Sequence, residues 1–299
     1  MSGYYSLIMK GYLVELQILN IDIEEIFKWL FEEYLPNEFY VTNFSYFASS
    51  AGTTYLEKCK NIATEMERVL KLYRQYSKHG HIDLELFEMS SEHLIYADLL
   101  SMQEKKYIYP KSERVERCIN DLFCDVMLCY TEDGSLKGYD NFYEALINLH
   151  RIDKKLLLRE YQLDALKRLL NFGAIREDAG YYVLDNVKSK ILYHFYDKQV
   201  LCYHHCKHAQ KDIDEMIKND DVEVGNTLFS KPECEYMNYI LNKSSYSDGL
   251  NLRNKYCHGS ISTNEDIHYS NYLEFLKIMV LVIIKIHEEF CLKNTDNNS

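Results

Sequence analysis

DGLNLRNKYCHG at positions 248–259, followed by the apolar stretch 270–292, decides how this chain is read. In that last stretch Leu273, Leu276, Val280, Ile283, Ile284 and Ile286 leave little of a helix circumference polar. A helix of this kind must be enclosed by other helices or by a second subunit. Its longest unbroken apolar run, Ile278 to Ile284 between Lys277 and Lys285, is seven residues. A bilayer needs about 20, so the spacing predicts a bundle helix and no membrane partner. Working backwards, a helix is predicted over about 232–241. Another closes with Ile213, Met216 and Ile217, and an earlier one carries Val187, Ile191, Leu192 and Phe195. The expected architecture for 187–299 is a four-helix bundle.

The rest of the chain also reads as helical. Only 11 glycines and 3 prolines in 299 residues argue against a sheet sandwich with many tight turns. Thr54 and Glu57 stand at capping-box spacing ahead of a stripe through Cys59, Ile62, Met66, Val69, Leu70 and Tyr73. A helix is expected over 92–102, a loop over 105–110, and a further helix capped by Ser112. Between them these make an N-terminal helical region, 1–135. Over 136–186 the pattern changes. Asn141 and Glu144 open one helix, 161–172 forms a second closed by Gly173, and a short hairpin follows around the turn at 177–180. This order resembles a winged-helix module. The expectation is thus an all-α chain with a small winged-helix-like α+β insert.

The net charge of −12 repels polyanions at long range, so any nucleic-acid contact must be local. Between His150 and Arg176 seven basic residues face three acidic ones. Lys154, Lys155, Lys167 and Arg168 are the candidate nucleic-acid surface there; the other reading is a set of solvated faces around a packing module. The nine cysteines are irregularly spaced and odd in number, which fits reduced thiols in a cytoplasmic protein. The N-terminus lacks the basic-apolar-cleavage pattern of a signal peptide. Cys202, His205 and Cys206 are weak zinc candidates; read on a helix, Cys202 and Cys206 share a face but need ligands from elsewhere. No metal or other cofactor is expected. Phosphate-binding glycine loops, HExxH pairs and GxSxG elbows do not occur, which removes common kinase, protease and hydrolase readings.

The 248–259 stretch carries the most chemistry. A guanidinium at Arg253 could neutralise charge building on a phosphodiester. An imidazole at His258 could move protons near neutral pH, and Asn254 could orient either group. Asn251, Lys255 and Gly259 are candidate substrate-binding positions, Gly259 because its backbone permits close approach. Arginine followed by histidine at this distance arises about once by composition alone. Arg74 and His79, ahead of Gly80, form such a second pair at the end of an amphipathic helix, but without an asparagine after the arginine.

Arg253-Asn254-x-x-x-His258-Gly259 followed by a long apolar helix resembles the HEPN superfamily, and more narrowly its members with an RNxxxHG signature. The resemblance covers about the last 110 residues. It implies a metal-independent endoribonuclease, catalytic Arg253 and His258 with Asn254 and Gly259 matching their flanks, an RNA substrate, and a homodimer through the C-terminal bundle. Such proteins commonly act as toxins or effectors in antiphage defence and abortive infection, restrained by an antitoxin or sensor partner. The position two after the histidine is Ser260 where some members carry a modifiable tyrosine. A polar residue on an earlier bundle helix commonly faces the site; Glu233, Glu235 and Asn238 are the candidates. The alternative is a non-catalytic HEPN-like scaffold or dimerisation protein that docks a partner.

Overall fold

The computed structural model describes residues 2–89, 94–242, 247–258 and 263–297. The chain is mostly helical, with two small antiparallel sheets. It divides into two compact units, one formed by 1–103 together with 227–299 and the other by 104–226.

The first unit begins with α1 (Ser2–Ile18), α2 (Ile23–Trp29) and α3 (Leu35–Phe39), the last two joined through a π-helical turn at Leu30–Tyr34. Thr54 then starts α4 (Tyr55–His79) with the expected capping box: its hydroxyl accepts from the Glu57 amide and Glu57 accepts from the Thr54 amide. A short α5 (Leu84–Met89) follows. The helix expected over 92–102 is reduced to a 3-10 turn at Tyr96–Asp98, while positions 90–93 lie outside the described residues.

The second unit opens with β1 (Tyr107–Pro110), where a loop was expected, and then α6 (Glu113–Ile119), capped by Ser112. Next come α7 (Phe142–Leu149), β2 (Ile152–Asp153), α8 (Glu160–Phe172), β3 (Ile175–Asp178) and β4 (Tyr181–Leu184). These three strands form one sheet in the order β2-β4-β3, with Ile152 opposite Tyr182 and Ile175 opposite Leu184. Gly173 ends α8 in the left-handed conformation, φ 84°, as its sequence position requires. The unit continues through α9 (Lys188–Lys198), β5 (Leu201–Cys202), α10 (Gln210–Lys218) and β6 (Val222–Gly225). Strand β1 lies between β5 and β6, with Tyr107 opposite both Cys202 and Gly225. This second sheet is the β content that an all-α reading leaves out. Its strands are two to four residues long and come from distant parts of the chain, so no period-2 pattern announces them.

The chain then re-enters the first unit with α11 (Lys231–Leu241), α12 (Leu252–His258) and α13 (Glu265–Asn297). The expected grouping of 187–299 into one bundle is therefore corrected. Helices α9 and α10 pack in the second unit, where Ile191, Leu192, Phe195, Ile213 and Met216 share a core with Val115, Leu122, Phe142 and Leu169. Region 1–135 is likewise split between two cores, and the 136–186 module is part of a larger unit. Helix α13 is instead enclosed by α4 and α1. Phe275, Leu276, Met279, Val282, Ile286 and Phe290 interlock with Phe31, Ile62, Val69, Leu70 and Tyr73 in a single core. The apolar last helix thus gets its cover from the first third of its own chain.

Carboxylates organise the irregular segments of this unit. Between α3 and α4 the chain is extended, and its amides need partners. The amide of Ser49 donates to buried Glu24 (2.8 Å), that of Phe47 to buried Glu65 (3.0 Å), and that of Tyr46 to Glu32 (3.2 Å). Tyr272 on α13 also donates to Glu24 at 2.7 Å. Fully buried Glu289 accepts from the Ser101 hydroxyl and the Met102 amide, fixing the chain where it leaves the unit. No helix among the described residues is long and apolar enough to cross a membrane.

The two ends of the gap in the first unit already meet there. The Leu228 amide donates to the Leu99 carbonyl at 2.7 Å, and Leu100 bridges Thr227. Replacing 104–226 with a short flexible linker should leave a helical domain that melts cooperatively by circular dichroism. A broad, non-cooperative melt would show that the first unit depends on the second.

Candidate functional site

The 248–259 stretch is not a loop: most of it forms α12. Two apolar side chains pin it, Leu252 and Tyr256, both buried one turn apart. The Tyr256 hydroxyl lies 2.7 Å from Nδ1 of buried His268 and accepts from the Asn271 amide at 2.9 Å. Burial pushes the Tyr256 phenol well above its ordinary value. The Cys59 thiol donates to the His268 carbonyl at 3.3 Å, linking α4 to the start of α13 beneath α12. Ahead of the helix, the Leu250 amide donates to Tyr239 and Asn251 takes a left-handed conformation, φ 54°.

With Leu252 and Tyr256 inward, Arg253 projects from the flank of α12 toward α4. Its Nε and Nη2 both donate to one oxygen of Glu67, at 3.1 and 2.7 Å. The other Glu67 oxygen pairs with Lys71 Nζ at 3.0 Å, one turn along α4. Arg253 and Glu67 are 27% and 24% exposed, so the pair sits at a half-open surface. Glu67 occupies one edge of the guanidinium, and Nη1 has no hydrogen bond among the described residues. Burial raises the Glu67 carboxyl, but the Lys71 hydrogen bond and the Arg253 charge outweigh it and hold the group below the usual carboxylate value. Tyr96 is close to this pair, its phenol pushed up to about 12, mainly by burial.

The remaining expected residues divide clearly. The exposed Asn254 side chain donates to Asn251 Oδ1 at 2.8 Å, so these two brace the first turn of α12 rather than meet Arg253. Lys255 and Cys257 are exposed; burial raises the Cys257 thiol and the charge of Arg253 opposes it. The backbone of His258 closes α12, its side chain lies outside the described set, and Gly259 lies outside the described residues. On a regular helix five residues turn through about 500°, so positions 253 and 258 are about 140° apart around the axis. Of the facing residues expected on α11, Glu233 caps its own helix with Ser230 and pairs with Lys285, and Asn238 accepts from Asn242. The residue that meets the arginine is Glu67. It escaped the sequence reading because 186 positions separate the two; the only local signal was its i,i+4 pairing with Lys71.

The basic patch expected in 150–176 is not one open face. Arg168 makes a two-pronged pair with Asp121 at 2.8 and 2.9 Å, and Lys154 pairs with Glu177. Lys155 and Lys167 are exposed, but Lys167 shares its face of α8 with exposed Glu160 and Asp164. The zinc candidates also change setting: Cys202 is in β5, His205 ends a 3-10 turn, and Cys206 follows it, so no helical face gathers them, although the ligand atoms of Cys202 and His205 lie within 4.8 Å of each other. Burial, with a contribution from Cys202, raises the Cys206 thiol. All nine cysteines are free; Cys59, Cys118, Cys129 and Cys234 are buried, whereas Cys124, Cys257 and Cys291 are exposed. In comparisons with known proteins, no family model, no curated protein and no solved structure matches this chain.

Because the folded Glu67 carboxyl titrates below its unfolded value, its contribution is present above that unfolded value and is lost as pH falls through the folded one. Glu67→Gln should destabilise the protein by about 1–2 kcal/mol at neutral pH. That difference should shrink as the wild type is acidified below pH ~4, followed by chemical denaturation across a pH series.

Proposed function

We propose that this chain is a metal-independent endoribonuclease of HEPN type, an RNA-cutting toxin or effector in antiphage defence or abortive infection. The observation that carries this reading is the setting of Arg253. It is held in one orientation by an acid from another helix, is partly open to solvent, and stands on a short helix immediately ahead of the enclosed α13. The RNxxxHG pattern falls on that helix and just past its end.

In this mechanism the ribose 2′-oxygen attacks the adjacent phosphorus, and the bond to the 5′-oxygen of the next nucleotide breaks. A 2′,3′-cyclic phosphate and a 5′-hydroxyl result. Arg253 stabilises the added charge on the phosphoryl oxygens through the N–H groups that Glu67 leaves open. Glu67 acts as a positioning residue, restricting a side chain that would otherwise sample many rotamers. His258 takes the proton from the 2′-hydroxyl or gives one to the leaving 5′-oxygen. Asn254 and Asn251 hold the first turn of α12, and Lys255 adds an exposed cation beside it for the RNA backbone. A second copy of the chain, and a restraining antitoxin or sensor protein, are the partners this reading calls for.

In this reading α7, β2, α8 and the β3–β4 hairpin of the second unit, with β2 paired to the hairpin edge, make up a winged-helix-like module. We read it as a packing and partner-selecting module. The internal pairing of Arg168 and Lys154 supports that role over phosphate binding.

One observation favours the rival scaffold reading. Glu67 and Lys71 tie Arg253 into a charge network, an arrangement that also serves to brace α12. Incubating wild type, Arg253→Ala and His258→Ala with mixed RNA in EDTA separates the two. Wild type should cut in EDTA, leave cyclic phosphate ends, and lose at least about a hundredfold in rate with either substitution. Cleavage that requires Mg²⁺, or that survives His258→Ala, overturns the mechanism; no cleavage by folded wild type favours the scaffold.

A further inference from the structure

Helix α1 covers part of α13 and in doing so exposes an apolar face of its own. Its inward side carries Ser6, Met9, Leu13 and buried Leu16, with the Ser6 hydroxyl donating to Glu274 at 3.1 Å. The opposite side carries Tyr4, Leu7, Gly11, Val14 and Ile18, a repeating three-four spacing. Tyr4, Leu7, Val14 and Ile18 are 67%, 68%, 45% and 68% exposed, and Tyr5, Ile8 and Tyr12, on the flank between the two sides, are exposed as well. With 4, 11 and 18 as heptad position a and 7 and 14 as d, the inward residues fall at c and f. The exposed seam is therefore free while the inward one is occupied.

We propose that this seam joins two copies of the chain as a parallel pair of α1 helices. The charges of α1 indicate the occupant and its direction. Lys10 is at position g and Glu15 at the next e, both are exposed, and neither has an ion-pair partner among the described residues. In a parallel pair, g of one helix meets the following e of the other, so Lys10 and Glu15 pair across the interface twice by symmetry. An antiparallel pair sets g against g and e against e and leaves both without a counterpart. Gly11 adds an independent reason. Glycine weakens a helix interior, and a Cβ placed there would meet nothing within 4 Å, so its own chain does not require it. On the seam its missing side chain lets two backbones approach. A membrane surface fits less well, because interfacial helices carry several basic residues on their polar face and α1 carries only Lys10. About two and a half heptads would be short for an isolated coiled coil, but each helix is already folded against its own unit. The inference does not depend on the nuclease reading.

Sedimentation equilibrium of the full chain across a concentration series, beside vesicle flotation with phosphatidylserine, tests it. Wild type should dimerise and leave the vesicles unbound, and Leu7→Glu with Val14→Glu should be monomeric while keeping its helicity and melting temperature. Lys10→Glu and Glu15→Lys should each weaken the dimer about tenfold. Combining both in one chain should restore it, and mixing the two single variants should give a heterodimer. A monomeric wild type, a dimer that survives the double glutamate variant, or vesicle binding by a monomer overturns the proposal. Charge reversals without rescue overturn the parallel pairing.

Discussion

The burial of α13 is the constraint from which the rest of the structure follows. A helix with so little polar circumference cannot stand at a surface, and its neighbours in sequence are too short to wrap it: α11 spans 11 residues and α12 only 7. Cover has to come from a long helix elsewhere, and α4, with 25 residues and a continuous apolar stripe, supplies it. That pairing joins the two ends of the sequence into one unit and leaves 104–226 to close on a core of its own.

The acidic character of the chain is partly structural. Glu24, Glu65 and Glu289 are buried, and each accepts backbone amides from segments without regular secondary structure. A carboxylate can take several such bonds and so substitutes for a strand partner where none exists. Glu67 serves a side chain in the same way, orienting Arg253 from across the bundle. The net charge of −12 is therefore a poor guide to whether an anionic polymer is repelled at any one place.

How legible the site was depends on the residue. The stretch around Arg253 stands out in the sequence, since a run of polar residues directly before an apolar helix is a contrast within a few positions. The helical state of the run was less visible, because it rests on Leu252 and Tyr256 being drawn into a core built mostly from α4 and α13. Glu67 was beyond reach: on α4 it reads as one more exposed acid with an i,i+4 lysine. For Arg168 the sequence left two readings open, a phosphate-binding surface or a solvated face of a packing module, and the fold gives the side chain to Asp121.

By itself the sequence determined where several helices begin or end, through signals that act over three or four residues: the capping box at Thr54, Ser112 before α6, Gly173 after α8 and the apolar periods between them. It also determined that α13 must be enclosed. What encloses it, which strands pair into β5-β1-β6, and which acid holds Arg253 were decided only by tertiary structure. Those outcomes depend on shape and charge matching between segments far apart along the chain, and neither composition nor local periodicity records that matching.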